Sequence, residues 1–444
     1  MPLYASVNRE KYGLKKLFEF SCVQMGNCEE FYSVYHTSEP LGVDVYFIEF
    51  NKYFNRKGFY HDEGGEYKDN AFRFAFLSKA AMQLAKDLEF KPDIIHVQDW
   101  QTCFVPYYVK TSKDEFFKDT KTVLTIHNIG YQGIFEPDVL DYAGIALSDF
   151  NSNGFESYGK TNLIKAGIVY ADKVNTVSPN YANEILGPVG SNGMDWYLNQ
   201  KKNDVSGIIN GIDTDYWNPS KDKSLPMNYD VNNFKEGKAK CKKEIQKRLF
   251  LEEKENVPLI AFIARFADQK GIHMLAECIE NVINTMDCQF AIIGSGVKWA
   301  EDFFGGLRFK YPYRYGAHIG YQEEMAHLLE AGADIFLMPS IYEPCGLNQM
   351  YSQVYGTLPV VRATGGLEDT VINYNEQEGS GTGFKFNDIS AKALYNTIGW
   401  AVSTYYDRRD HFDNMIKQAM SLDYSWKSST EKYLQLYNQA LDKK

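Results

Sequence analysis

No stretch of this 444-residue chain is apolar for long enough to cross a membrane; even Leu259-Ile260-Ala261-Phe262-Ile263-Ala264 is stopped by Arg265. The first residues, Met1-Pro2-Leu3-Tyr4, lack the basic-then-apolar pattern of a secretion leader. The seven cysteines contain no Cys-x-x-Cys pair, and their number is odd. That pattern argues for reduced thiols in a cytoplasm and against a disulfide frame or a zinc site. Positive charge is also scarce. A net charge of −11 opposes nonspecific binding to nucleic acid, although a diphosphate needs only a few well-placed cations and amides. Two common nucleotide signatures are missing. Gly294-Ser295-Gly296-Val297-Lys298-Trp299 has Trp where a dinucleotide fingerprint needs its third glycine, and no Gly-x-x-x-x-Gly-Lys-Ser/Thr string occurs. No His, Cys and carboxylate spacing reads as a metal site, so neither metal nor cofactor is expected.

The apolar fraction of 44% and the charged fraction of 24% are those of a globular protein, and the length suggests two domains. Aromatics reach 15%, which suits contact with sugar rings, but biased codon usage produces the same enrichment. Short β-branched runs alternate with helical stretches, the mark of an α/β architecture with parallel sheets. Strands are expected at 44–50, 93–97, 122–126, 173–177 and 205–209, then at 259–264, 289–293, 334–338 and 358–361. Between the two sets lies a Lys-rich stretch, 218–254, with a helix expected over 238–250. The boundary between domains falls near 211–219. Ligands of doubly wound sheets sit beyond the carboxyl ends of the strands, where this chain places Asp99, His127, Ser178, Asn210, Arg265 and Ser340. Two such rows on two domains suggest a cleft between facing sheets.

Three segments carry the chemistry. In Ser340-Ile341-Tyr342-Glu343-Pro344-Cys345-Gly346-Leu347, a strand ends and a helix is expected just after Pro344. The amides of Cys345, Gly346 and Leu347 would then favour an anion or a sugar oxygen, with the Glu343 carboxylate beside them. In Arg362-Ala363-Thr364-Gly365-Gly366-Leu367, Thr364 and the Gly365 and Gly366 amides form a second candidate anion turn. In Arg265-Phe266-Ala267-Asp268-Gln269-Lys270-Gly271, Arg265 and Lys270 put two cations on one loop. Cations aimed at a diphosphate assist both its binding and its departure. In the first half, Asp99 and His127 end adjacent strands, and His127 can donate to a sugar oxygen or steady charge in a transition state.

Taken in order, His96–Trp100, Thr125–Gly133, Asn175–Pro179, Asn210–Asp213, Arg265–Gly271, Glu343–Leu347 and Tyr355–Val371 resemble bacterial glycogen (starch) synthases over nearly the whole chain. The resemblance implies a glycosyltransferase B fold, two Rossmann-like domains facing a cleft. It places the N-terminal domain at 1–211, a nucleotide-sugar domain at 212–424 and a C-terminal helix at 425–444 that returns to the first domain. It implies transfer of glucose from ADP-glucose (or UDP-glucose) to an α-1,4-glucan with retention, without metal, nucleic acid or membrane. On that resemblance Arg265 and Lys270 bind the diphosphate, and Glu343 holds the donor glucose beside Cys345, Gly346 and Leu347. Thr364, Gly365 and Gly366 meet the distal phosphate, Tyr321 stacks on the nucleobase and Asn210 lines the cleft. His127 lies by the reacting sugar with Asp99 near it, and Tyr351 takes no acid–base role. One departure stands out: no Lys-x-Gly-Gly-Leu loop occurs. The expectation is therefore a chain lacking the family's first strand and loop, with an incomplete first domain and weak or no activity; the alternatives are a transferase of the same fold with another nucleotide sugar or acceptor, or an inactive glucan-binding relic.

Overall fold

The computed structural model describes residues 1–39, 42–112 and 114–442. They divide into two compact units, one of 1–176, 184–206 and 434–444 and one of 177–183 and 207–433.

The first unit opens with an antiparallel sheet in the order β1 (Lys15–Met25), β2 (Cys28–Thr37), β3 (Val45–Glu49). Sequence reading anticipates only β3. Register shifts between Lys16 and Ser21 break the period of two in β1, and its outer face carries an exposed Phe20, so alternation does not announce the hairpin. Met1–Leu3 runs beside β3 through a parallel bridge from Pro2 to Ile48. The chain continues through α1 (Asn70–Asp87), β4 (Ile94–Gln98), α2 (Phe104–Thr111), β5 (Lys121–Ile126), α3 (Leu163–Tyr170), β6 (Lys173–Thr176) and β7 (Val205–Gly207). These strands form a sheet in the order β7-β6-β5-β4, with β5 parallel to both β4 and β6. His96 in β4 is held at both nitrogens, by the Tyr437 hydroxyl at 2.8 Å and the Thr125 hydroxyl at 2.7 Å.

The second unit begins with α4 (Phe234–Arg248), which stops short of the expected end because Phe250 adopts a left-handed φ of 57°. Then follow β8 (Leu259–Phe266), α5 (Ile272–Thr285), β9 (Gln289–Gly296), α6 (Lys298–Lys310), β10 (Tyr315–Ile319), α7 (Glu323–Gly332), β11 (Ile335–Met338), α8 (Asn348–Val354), β12 (Leu358–Arg362), α9 (Gly365–Thr370) and β13 (Phe384–Phe386). All six strands are parallel, in the order β10-β9-β8-β11-β12-β13. Leu259–Ile263 and Ile335–Met338 are buried on both faces, as central parallel strands must be. In α5 the buried residues Ile272, Leu275, Ile279, Val282 and Ile283 recur at helical spacing and cover one face of the sheet. The strand order reverses between β8 and β11, which makes the carboxyl ends of those two strands the natural ligand crevice. Two further helices, α10 (Ala391–Asp407) and α11 (Arg409–Met420), complete the unit, and α12 (Trp426–Leu441) is divided between the two units. All seven cysteines are free thiols, and among the described residues no helix is long and apolar enough to cross a membrane.

Burial pushes the His96 imidazole down from 6.5 to about 4. The unfolded chain therefore takes up that proton first. Stability from neutral His96 is fully present above about pH 6.5 and is lost as pH falls towards 4, by about 3 kcal/mol in all. The urea midpoint should fall across that window, and His96→Gln, which cannot ionise, should fall less steeply. Equal slopes for the two proteins would show that His96 does not carry the effect.

Candidate functional site

Three loops meet at the crevice of the second unit. After β8 the chain makes one short turn, Asp268–Lys270, and closes on Gly271 at φ 69°. A side chain at Gly271 would drive its Cβ into the carbonyl oxygen of Pro339, so glycine lets this loop lie directly on the end of β11. The loops are then joined by Ile341 N–H donating to Gln269 O at 2.8 Å and by the Gln269 amide donating to Tyr342 O at 3.2 Å. Above this seam Lys270 Nζ donates to Glu343 Oε2 at 2.6 Å, and Ser340 Oγ donates to the same oxygen at 2.9 Å. Glu343 is only 6% exposed, yet its Oε1 accepts from none of the described residues. Arg265 falls within β8, near its carboxyl end, rather than on one loop with Lys270 as expected; it is exposed and forms no ion pair with any described residue.

The Glu343–Leu347 segment differs from expectation in one respect. The helix starts at Asn348, with Leu347 as its cap, rather than just after Pro344. Gly346 sits at φ 73°, a left-handed residue that an α-helix cannot include. The amides of Cys345, Gly346 and Leu347 still donate to no described residue, but α8 has only seven residues, so local N–H groups rather than a long helix dipole supply the positive field. The Cys345 thiol is buried, and burial pushes it up to about 12, which rules it out as a nucleophile near neutrality. Its sulfur accepts from the backbone of Asn210, so Asn210 supports the turn.

The expected second anion turn packs against the first. A Cβ on Gly365, at φ 45°, would overlap the Glu343 carbonyl oxygen, and one on Gly366 would overlap that of Cys345. Gly366 N–H donates to Glu343 O at 3.0 Å and to Pro344 O at 3.1 Å. Thr364 is 2% exposed, so its hydroxyl is enclosed here rather than presented outward. Tyr321 stands apart on the turn between β10 and α7, 69% exposed.

In the first unit Asp99 and His127 do come together. The Asp99 carboxylate accepts from the His127 N–H at 2.7 Å and from the Asn128 backbone. Burial pushes its carboxyl up, against the pull of His127 and of these amides. Asp99 adopts φ 50°, ψ −171°, a conformation costing about 1–3 kcal/mol outside glycine. The His127 ring is oriented by Gln98 Oε1 at 2.8 Å from Nε2.

Some contacts at the site have no signature in the sequence. Arg362 braces the Ser340 turn, donating from Nε to Ser340 O at 2.9 Å and from Nη2 to Ile341 O. Ser178 Oγ donates to Pro344 O at 2.7 Å. Tyr60, 40% exposed, lies against Trp100, and burial with nearby Asp99 pushes its phenol up. Nothing in the sequence ties position 60 to position 99; only the fold does. Among the described residues no group of three or more His, Cys, Asp or Glu is placed to hold a metal ion.

Comparison with known proteins fits this geometry. Residues 1–200 match the family described as the starch synthase catalytic domain, and residues 242–419 match glycosyl transferases group 1. Glycogen synthase 1 of Geobacter sulfurreducens is 41% identical over 448 residues, covering 100% of this chain and 89% of that protein. Glycogen synthase of Treponema denticola is 41% identical over 451 residues, covering 100% of this chain and 91% of its own length. The catalytic domain of Starch Synthase IV from Arabidopsis thaliana, bound to ADP and acarbose, superposes with a TM-score of 0.89 at 30% identity, covering 100% of this chain and 91% of that one. The expected loss of a first strand and loop finds no support in these matches, which run over the whole of this chain.

The packing of the two turns is testable. Gly365→Ala should lower stability by about 2 kcal/mol or more, through overlap and left-handed strain. Gly306→Ala, in α6 with open space around the added methyl, should be neutral or stabilise by up to about 1 kcal/mol. Denaturant midpoints measure both, and equal effects would refute the close packing.

Proposed function

The chain belongs to the glycogen (starch) synthase family, with its glycosyltransferase B fold, and from that premise we propose that it moves glucose from ADP-glucose to the non-reducing end of an α-1,4-glucan with retention. The observation that carries the reading is Glu343. One carboxylate oxygen is held by Lys270 and Ser340, and the other accepts from no described residue at the mouth of a glycine-lined turn. A carboxylate oriented in this way accepts hydrogen bonds from sugar hydroxyls without first reorganising.

Lys270 and Arg265 supply the positive charge that a diphosphate needs as it departs, and such charge acts most strongly where water is excluded. The amides of Cys345, Gly346 and Leu347 donate to the donor sugar, and the Thr364–Gly366 turn meets the distal phosphate after a small adjustment of Thr364. No general base is assigned to Glu343, whose partnered oxygen is committed to Lys270. The departing phosphate takes the acceptor's proton, and Tyr351 stays outside the chemistry because its ring is stacked on Trp217 at 3.9 Å. In the first unit, His127 steadies the reacting sugar, while Asp99 positions His127 through its backbone. The reaction requires no metal ion.

Incubation with ADP-glucose or UDP-glucose and glycogen tests the substrate assignment. Nucleotide release should depend on glycogen, be faster with ADP-glucose, and persist in excess EDTA. Faster turnover of UDP-glucose would reassign the donor, and loss of activity in EDTA would overturn metal independence. Glu343→Gln should lower kcat by about 100-fold or more, on the scale of removing one transition-state contact. An unchanged kcat would remove Glu343 from the site.

A further inference from the structure

The segment that follows Asn210 is held unusually firmly. The Asp213 carboxylate accepts from the amides of Asp215 and Tyr216, each at 3.0 Å, and Trp217 N–H donates to Asp213 O at 2.8 Å. The Trp217 ring is sandwiched between His327, with centroids 3.8 Å apart and planes 4° from parallel, and Tyr351, at 3.9 Å and 11°. His327 is itself fixed by Asp222, 2.7 Å from Nδ1 to Oδ2, and Tyr216 meets its ring edge-on at 4.9 Å. Apart from the stacking that keeps Tyr351 out of the chemistry, none of these contacts enters the mechanism above.

From this base the Tyr216 phenol donates to Glu323 Oε1 at 2.7 Å. Glu323 is the first residue of α7, two positions after Tyr321. Between β10 and α7 the turn passes through Gly320, at φ 133°, whose N–H donates to Gly294 O at 2.9 Å; Tyr321 and Gln322 follow it. Tyr216 is 48% exposed, so part of its ring remains open beside that turn. Its phenol is pushed up to about 12, first by the bond to Glu323 and further by Tyr321 nearby. It is therefore a neutral donor throughout the physiological range.

We propose that Tyr216 is a positioning residue for the donor's nucleobase: by holding Glu323 it sets the turn 320–322, and with it the Tyr321 ring on which a purine stacks. The inference rests on the reading of Tyr321 as the base-stacking residue. A stacking platform binds more tightly when its geometry exists before the ligand arrives, because ordering the loop then costs nothing at the moment of binding. The aromatic sandwich supplies that order from the linker rather than from the loop itself.

Steady-state kinetics on the full chain decide the matter. Tyr216→Phe keeps the ring and removes only the donor. It should raise both the KM for ADP-glucose and the inhibition constant of ADP by about fivefold, the scale of one net hydrogen bond. The kcat and the inhibition constant of inorganic pyrophosphate, which has no base, should stay unchanged. Glu323→Ala should reproduce this effect, the double variant should be no worse than either alone, and Glu323→Gln, which retains an acceptor oxygen, should restore most of the affinity. A parallel rise for pyrophosphate would mean general damage and overturn the proposal. If Tyr321→Ala raises the KM for ADP-glucose while Tyr216→Phe leaves it unchanged, the positioning role is wrong. If Tyr321→Ala itself has no effect, the base-stacking reading fails instead.

Discussion

Lys270 and Glu343 join the loop after β8 to the loop after β11, and the geometry of the donor side follows from how that pair is held. Glu343 lies almost wholly out of water, and a buried carboxylate that loses its only cation costs about 3–5 kcal/mol. The pair is short at 2.6 Å and is shared with Ser340, whose backbone is braced in turn by Arg362. Charge, turn and strand end therefore form one rigid piece. Arg265, near the carboxyl end of β8, adds a second cation without an ion-pair partner among the described residues, so the positive field exceeds what Glu343 neutralises.

Strands β8, β9, β11 and β12 of the second unit are readable because each is built on an apolar run buried in the sheet, the pattern parallel strands impose, whereas the three-residue β13 is too short to announce itself. Strand β10 is not readable either, since Tyr315-Gly316-Ala317-His318-Ile319 carries a glycine and a histidine that look like a loop in isolation. The hairpin of β1 and β2 was missed for another reason: its bulges and exposed phenylalanine hide the alternation. Loop geometry was only partly legible. The residues of the Glu343 segment were found, but the left-handed Gly346 that delays the helix is a dihedral angle, and one sequence does not report it. The contacts of Arg362, Ser178 and Tyr60 leave no mark in the sequence because their partners lie far along the chain. The contact of Arg362 with Ser340 spans 22 positions, and that of Ser178 with Pro344 spans 166.

The first unit solves a different problem, which is how to present a histidine at the end of a strand. Asp99 accepts the backbone N–H of His127 while Gln98, its neighbour, orients the ring. To reach that amide, Asp99 holds a backbone conformation that glycine adopts easily and aspartate does not. The strain is tolerated because the surrounding sheet determines it: Asp99 N–H donates to Thr125 O at 2.9 Å, and Thr125 is also the partner of His96. A histidine inside β4 and one just beyond β5 thus share Thr125 and its neighbours, and they are told apart by their hydrogen bonds. His96 is satisfied at both nitrogens by hydroxyls inside the unit, whereas the His127 ring meets only a side-chain amide among the hydrogen bonds described.

The contact of Gly365 and Gly366 with the Glu343–Cys345 carbonyls has a consequence for the history of the site. Two turns that leave no room for a methyl group cannot drift apart by single substitutions; any residue larger than glycine at 365 or 366 forces the Glu343–Cys345 backbone to move. A lineage changing its donor would find that path closed. The Tyr321 turn, exposed and held by the Gly320 N–H bond to Gly294 O and by the Tyr216 phenol through Glu323, offers an open one. On the function proposed above, variation in nucleotide preference should therefore collect at the Tyr321 turn, while the paired Glu343 and Gly365 turns are inherited as a block.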